Sequence, residues 1–362
     1  MRLNLPKSFQ KLALFSTMTP NSSTTTSALA TPSNVAMGTT SALERARQLQ
    51  LPTREEMLRR DGKVYDFWNH NEDTLERAWE EWNQHDQKAL DLPKIDSSII
   101  NPKLRQAVEA AWKNPTPENE AAIKELWEEV APGVYAIQFF DLEELHKLRQ
   151  WFDTTAEAGI PIRPPYGIVL NRKGMMIDPR SVGYLAAPDF QTFYKLLVDE
   201  YVRPLGRLFF PEHIRETDDS ESFAFSIQYQ GEAGGDKSIR HHTDASTVTF
   251  NLNLDSTKTW TGSSLVFIDG ERGNHEVTWS PGYAVMHLGK SMHAAYPIQS
   301  GTRSNWVIWT FAEGGGGGYG RMNPLASDGG CYPEEYQMSA EERWTKPAPV
   351  EGKPWMNRWS PF

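Results

Sequence analysis

Between residues 42 and 130 the apolar positions recur at the spacing of amphipathic helices. The clearest segments are 76–90, which is charged and carries Trp79 and Trp82, then 104–112 and 121–130. Pro115 and Pro117 punctuate the last two, and Thr116 ahead of Pro117 reads as a helix start with proline at the first helical position. After Pro132 the texture changes. Residues 133–140 (GVYAIQFF) predict a strand, 141–158 a helix, 161–165 a loop, 166–170 a short strand and 189–201 an amphipathic helix. From 222 onward, short runs rich in β-branched and aromatic residues alternate with turn residues. They predict strands at 222–230, 247–254, 264–268, 276–279, 283–288 and 305–311. Many short strands at this spacing build a sandwich or barrel rather than a parallel sheet. The expected organisation is a tail over 1–43, a helical region over 44–130, a strand-rich domain over 131–313 and a glycine-rich loop and tail over 314–362. The five glycines at 314–318 are not a phosphate loop, because no Lys-Ser/Thr follows them.

Composition narrows the functional classes. The 362 residues carry a net charge of −10, which argues against nucleic acid as a partner. No run approaches the roughly 18 apolar residues of a membrane span. The single cysteine, Cys331, rules out an intrachain disulfide framework and a cysteine-rich zinc site. Residues 1–43 contain Arg2, Lys7 and Lys11, no acidic residue and fifteen Ser or Thr. That composition is expected of an organelle transit peptide, the alternative being a tail with no address. The expected compartment is cytoplasmic or organellar rather than secreted.

Candidate chemistry sits in residues 239–244 (IRHHTD). In an extended chain positions i and i+2 share a face, so His242 and Asp244 converge without a turn. His293, in SMHAAYP, offers a third ligand. Two imidazoles and one carboxylate on one face of an octahedral ion leave three positions open, the arrangement of non-haem Fe(II) oxygenases. A His-x-Asp pair alone arises often by chance. Arg303, ten residues after His293, adds a planar cation able to grip the far carboxylate of 2-oxoglutarate bidentately. Zinc could use the same ligands but prefers four-coordinate sites, and no nearby glutamate offers the base of a zinc hydrolase. Among the other histidines, His241 should face away from His242 as a structural or lip residue. His287 reads as a core histidine, and His275 as exposed.

At these residues the sequence resembles the 2-oxoglutarate- and iron-dependent oxygenases, in the branch of lysyl hydroxylase and prolyl 4-hydroxylase catalytic domains. The resemblance covers about residues 130 to 312. Its most specific pieces are 241–255 (HHTDASTVTFNLNLD), 262–267 (GSSLVF) and 281–303 (PGYAVMHLGKSMHAAYPIQSGTR). It implies an α+β fold with a double-stranded β-helix (jelly-roll) core, to which flanking helices and a helical N-terminal extension are added here. It also implies iron on His242, Asp244 and His293, the distal carboxylate of 2-oxoglutarate on Arg303, and co-substrate contacts from Tyr229 and Asn251. A core aromatic and a strand-holding amide are the structural alternatives for those last two. Thr243 stands where lysyl hydroxylases have a second histidine directly before the aspartate, which leaves the role of His241 open.

The resemblance implies an enzyme, a dioxygenase that uses Fe(II), 2-oxoglutarate and O2, with ascorbate in support. It would oxidise an unactivated C–H bond and release succinate and CO2. The expected reaction is hydroxylation of an amino-acid side chain of a peptide or protein. Desaturation or oxidative cyclisation of a small carboxylate-bearing metabolite is the alternative, with Lys237, Arg240 and His241 as substrate contacts near the mouth. A non-catalytic metal-binding or sensor module is a third reading, and Arg303 argues against it, because a degenerate module needs no co-substrate clamp. The sequence carries no signal of oligomeric state.

Overall fold

The structure, a computed structural model, describes residues 40–53, 56, 62–161, 176–177, 188–214, 222–233, 235–244, 246–270 and 273–310. The tail over 1–39, the strand read at 166–170 and everything from the glycine run to the C-terminus lie outside the described residues.

The strand-rich half forms an antiparallel jelly roll. In chain order its strands are β1 Glu128–Ala131, β2 Val134–Gln138, β3 Met176–Ile177, β4 Ser222–Gln230, β5 Ile239–His242, β6 Val248–Asn253 and β7 Thr261–Gly262. They continue as β8 Leu265–Asp269, β9 Gly273–Val277, β10 Tyr283–Leu288, β11 His293–Ala295, β12 Ile298–Ser300 and β13 Thr302–Thr310. A seven-stranded sheet runs β1-β2-β10-β6-β13-β4-β3 and a four-stranded sheet runs β5-β11-β8-β9. The chain steps back and forth between them, so β4, β6, β10 and β13 lie in one sheet and β5, β8, β9 and β11 in the other.

Strand periodicity explains why the long sheet is buried on both faces. Phe225, Ile227 and Tyr229 of β4 and Val307 and Trp309 of β13 join Leu265 and Phe267 of β8 in an inner core between the sheets. The alternate positions, such as Phe250, Leu252, Trp306 and Ile308, face outward into a second core shared with helices. Those helices are α1 Ala42–Gln48, α2 Gly62–His85, α3 Pro102–Lys113, α4 Pro117–Lys124 and α5 Leu145–Ala156. They continue as α6 Pro188–Leu196, which passes through a π-helical turn at Leu197–Val202, and α7 Arg203–Phe209. Trp79 and Trp82 of α2 meet edge to face at 5.5 Å within that outer core. No described helix is long and apolar enough to cross a membrane.

Most predicted elements appear within a few residues of their expected bounds. Thr116 caps α4 as expected, accepting from the Asn119 amide, with Pro117 at the first turn. The helix read over 121–130 is corrected. α4 stops at Lys124, and Glu128–Ala131 is a strand that pairs with β2 across a tight turn at Gly133 (φ +68°). Sheet pairing outweighs the helical spacing there. The helix read at 76–90 starts earlier, at Gly62, and Asp86 breaks it by capping a separate turn at Gln87–Leu90.

One ion pair ties the helical layer to the strand that carries the chemistry. Arg149 of α5 donates to Asp255 at 2.6 Å, and the other Asp255 oxygen accepts from the Ser304 amide at 2.9 Å. That contact anchors β13 one residue beyond Arg303.

Candidate active site

His242 and His293 face each other as a register pair of β5 and β11, with ring centroids 4.3 Å apart. Asp244 lies two residues past the end of β5, and its amide donates to the Gly289 carbonyl at 2.9 Å. Gly289 is required for this approach, because a Cβ there would lie 2.0 Å from the Ser246 carbonyl oxygen. The Asp244 Oδ1 atom stands 3.6 Å from His242 Nε2 and 3.8 Å from His293 Nε2. All three side chains are buried, and one donor atom from each lies within 4.8 Å of the others.

Each ligand is aimed by a second contact. His242 Nδ1 lies 2.7 Å from the Arg240 carbonyl, and His293 Nδ1 lies 2.9 Å from the Ser291 carbonyl. A carbonyl only accepts, so both Nδ1 atoms carry the proton and both Nε2 lone pairs face Asp244. Thr249 Oγ1 donates to Asp244 Oδ2 at 2.6 Å, which leaves Oδ1 nearest the imidazoles. Burial, with His293 adding to it, pushes His242 down to about 4, so the imidazole is neutral at neutral pH. Burial would raise the Asp244 carboxyl, but His293, His242 and His287 and the Thr249 hydroxyl hold it below its ordinary value. Two imidazole nitrogens and one carboxylate oxygen, side by side with open positions beyond them, fit iron(II).

Arg303 lies opposite Tyr229 in the β13–β4 register and is 1% exposed. Its guanidinium sits over the Tyr229 ring at 4.4 Å and the Trp279 ring at 5.0 Å. Nε donates to Ser263 Oγ at 3.0 Å and Nη1 to Asn305 Oδ1 at 2.7 Å. Burial lowers Arg303 to about 10 and raises Tyr229 to about 12, so at neutral pH the first remains a cation and the second a neutral hydroxyl. Among the described residues no carboxylate lies within ion-pairing distance of the guanidinium. A buried cation of this kind calls for an anionic ligand, and the distal carboxylate of 2-oxoglutarate fits.

The orientation of Asn251 follows from Arg303. An arginine only donates, so Asn305 must turn its oxygen toward it. The Asn305 amide nitrogen then donates to Asn251 Oδ1 at 2.6 Å. What Asn251 has left is its NH2 group, a donor on a residue that lines the cavity. That cavity is bordered by Tyr229, His242, Asp244, Asn251, His293 and Trp309, with apolar walls between them.

The proposed substrate contacts stand further off. β5 carries a bulge against β11, where three steps from Ile239 to His242 oppose two from His293 to Ala295. Arg240 and His241 occupy the bulge and are half-buried, and Lys237 is exposed. None of the three borders the cavity. His287 is fully buried, as a core histidine should be, but it lies behind the metal ligands. Its Nε2 is 3.8 Å from Asp244 Oδ2. Sequence reasoning passed over Thr249, Ser263, Trp279 and Asn305. Asn305 was within reach of strand alternation, standing two residues past Arg303; the other three come from separate strands or turns.

A pH dependence follows. Burial lowers both His242 (to about 4) and His287 (to about 3) from an ordinary 6.5. Between these values and 6.5 the unfolded chain binds more protons than the folded one, so stability rises with pH in that window. The metal-free protein should hold its full stability above pH 6.5 and lose it progressively as the pH falls toward 4. Thermal unfolding in chelator at pH 7.5, 6, 5 and 4 measures this, and a flat profile would contradict it.

No protein-family model matches the chain. A 2-oxoglutarate and iron-dependent oxygenase domain-containing protein 2 from Xenopus tropicalis is 30% identical over 230 residues, covering 60% of each chain. The chain's curated relatives are named 2-oxoglutarate and iron-dependent oxygenase domain-containing proteins. A second relative, oxygenase domain-containing protein ICU11 from Arabidopsis thaliana, is 25% identical over 205 residues, 50% of this chain. The chain spans only 60% and 47% of the lengths of these two relatives. Among solved structures, a prolyl-4-hydroxylase from Pseudomonas putida is 16% identical, covering 61% of this chain and 99% of its own, with a TM-score of 0.37.

Proposed function

We propose that the chain is an iron- and 2-oxoglutarate-dependent dioxygenase that hydroxylates an unactivated C–H bond of an amino-acid side chain. The observation that carries the reading is the pairing, inside one barrel, of a buried two-histidine, one-carboxylate set with a buried arginine that has no carboxylate at ion-pairing distance among the described residues. When bound, iron and 2-oxoglutarate would activate O2, which is the oxidant, with one oxygen atom going to the substrate and the other to succinate as CO2 is released.

The chain's own residues do the rest. His242, Asp244 and His293 would hold the metal, and Thr249 fixes which Asp244 oxygen is presented. Arg303 would hold the distal carboxylate, with the Tyr229 hydroxyl and the Asn251 amide as further donors toward the co-substrate. The apolar walls, including Phe225, Ile227, Leu265 and Trp309, exclude water from the reacting position. They also favour an uncharged side chain over a small carboxylate, because the described cavity lining holds no lysine or arginine; Arg303 is not part of that lining and lies over the ring of Tyr229, which is.

The test is succinate release from protein supplied with Fe(II), ascorbate and 2-oxoglutarate, with a screen of peptides as substrates and product mass as the second readout. A gain of one oxygen is expected; a loss of two hydrogens would replace hydroxylation with desaturation or ring closure. Arg303→Ala should raise the 2-oxoglutarate requirement by roughly 100-fold, the scale set by losing a charge-assisted bidentate contact. An unchanged requirement removes Arg303 from its role, and no succinate with any substrate removes the oxygenase reading.

A further inference from the structure

Among the described residues, Ser263 is the one non-glycine in the left-handed region, at φ 65°. That conformation costs an L-residue with a side chain roughly 1–2 kcal/mol, and glycine would occupy it more cheaply. The residue just before it, Gly262, is also left-handed at φ 72°. The turn is locked from outside. The Ser263 amide donates to the Pro297 carbonyl at 3.1 Å, and a Cβ on Gly262 would stand 2.7 Å from the same oxygen. Ser263 is completely buried, and its hydroxyl accepts from Arg303 Nε. A serine held where glycine is the easier choice, with its hydroxyl on the clamp cation, points to a purpose for that hydroxyl.

We infer that Ser263 is a positioning residue that fixes the depth of the Arg303 guanidinium, and thereby the chain length of the 2-oxo dicarboxylate the site accepts. This rests on the reading of Arg303 as the co-substrate clamp. Ser263 takes Nε and Asn305 takes one Nη1 proton, while Tyr229 and Trp279 flank the guanidinium plane. Tyr229 also hydrogen-bonds the guanidinium, so the donors left for a carboxylate are what remains of the second Nη1 proton and those of Nη2. With Nε tethered, the guanidinium cannot slide along its own stem to meet a shorter or longer acid. The strained turn therefore acts as a stop that gauges the distance from metal to clamp.

The test separates positioning from plain stability. Ser263→Gly removes the hydroxyl and relieves the strain. Ser263→Ala removes the hydroxyl and keeps it. Calorimetric titration of Mn(II)-loaded protein with 2-oxoglutarate, oxaloacetate and 2-oxoadipate gives affinities without turnover, and thermal unfolding gives stability. Ser263→Gly should unfold no earlier than the wild type, yet bind 2-oxoglutarate about tenfold more weakly, the loss expected for one hydrogen bond to a charged group. Its preference over the acids one carbon shorter and longer should narrow. Ser263→Ala should bind as weakly as Ser263→Gly. Wild-type affinity and preference in either variant overturn the inference. So does a Ser263→Gly protein whose affinity falls only in step with a lower unfolding temperature. Failure of the wild type itself to bind 2-oxoglutarate sinks the clamp reading first, and is seen before any variant is compared.

Discussion

His242→Ala should abolish both metal retention and succinate release, while the metal-free protein keeps its fold. The ligand set explains the size of the effect. Only Asp244 and His293 would remain, and neither can replace a nitrogen whose lone pair the Arg240 carbonyl has already oriented. Even the loss of an outer contact to a metal ligand costs about 10–100-fold in affinity, and loss of a ligand costs more. Stability should not fall with it, since the imidazole borders the cavity and burial makes its neutral form a liability in acid. Metal content after dialysis, circular dichroism and succinate assay together check this. A variant that holds metal as the wild type does would mean the three-ligand assignment is wrong.

The second large effect is structural and leaves the site's chemistry untouched. Trp306 is fully buried on the outward face of β13. Its ring meets Phe152 of α5 at 5.5 Å and Tyr194 of α6 at 5.8 Å. Trp306→Ala would empty the centre of the helix–sheet interface, at a cost of about 3–5 kcal/mol. For a chain of this size that lowers the unfolding midpoint by roughly 10 °C. Below the transition, metal affinity should stay near the wild-type value, because Trp306 points away from the cavity. A midpoint within about 2 °C of wild type would mean that this face does not hold the helices on.

Sequence spacing carried the candidate ligands because the chemistry demands it. His242 and Asp244 are near neighbours in an extended segment, and His293 and Arg303 lie on β11 and β13, with only the short β12 between them. A sandwich or barrel was legible from the short β-rich runs and the jelly roll from the family resemblance, but the two-faced burial of β6 was not, because Thr249, Asn251 and Asn253 alternate with its apolar residues. What spacing could not carry is partnership across strands. Nothing in one dimension says that Thr249 bonds Asp244, or that Ser263 meets Arg303 across forty positions of chain. The same limit misread residues 128–130 as helix, since only the pairing partner in β2 makes them a strand. The rim residues Lys237, Arg240 and His241 were chosen for charge and nearness in sequence. The bulge in β5 sets two of them outside the cavity wall.

β13 also bears on which changes the chain can survive. Arg303, Asn305, Val307 and Trp309 look inward, while Ser304, Trp306 and Ile308 look outward. Either set can be substituted without disturbing the other, so reactivity and durability can drift separately along one strand. Length is different. Inserting or deleting one residue between Arg303 and Trp306 would turn one of the two sets over, driving the guanidinium into the helix-facing core or the indole into the cavity. The strand tolerates new letters but not a change of frame.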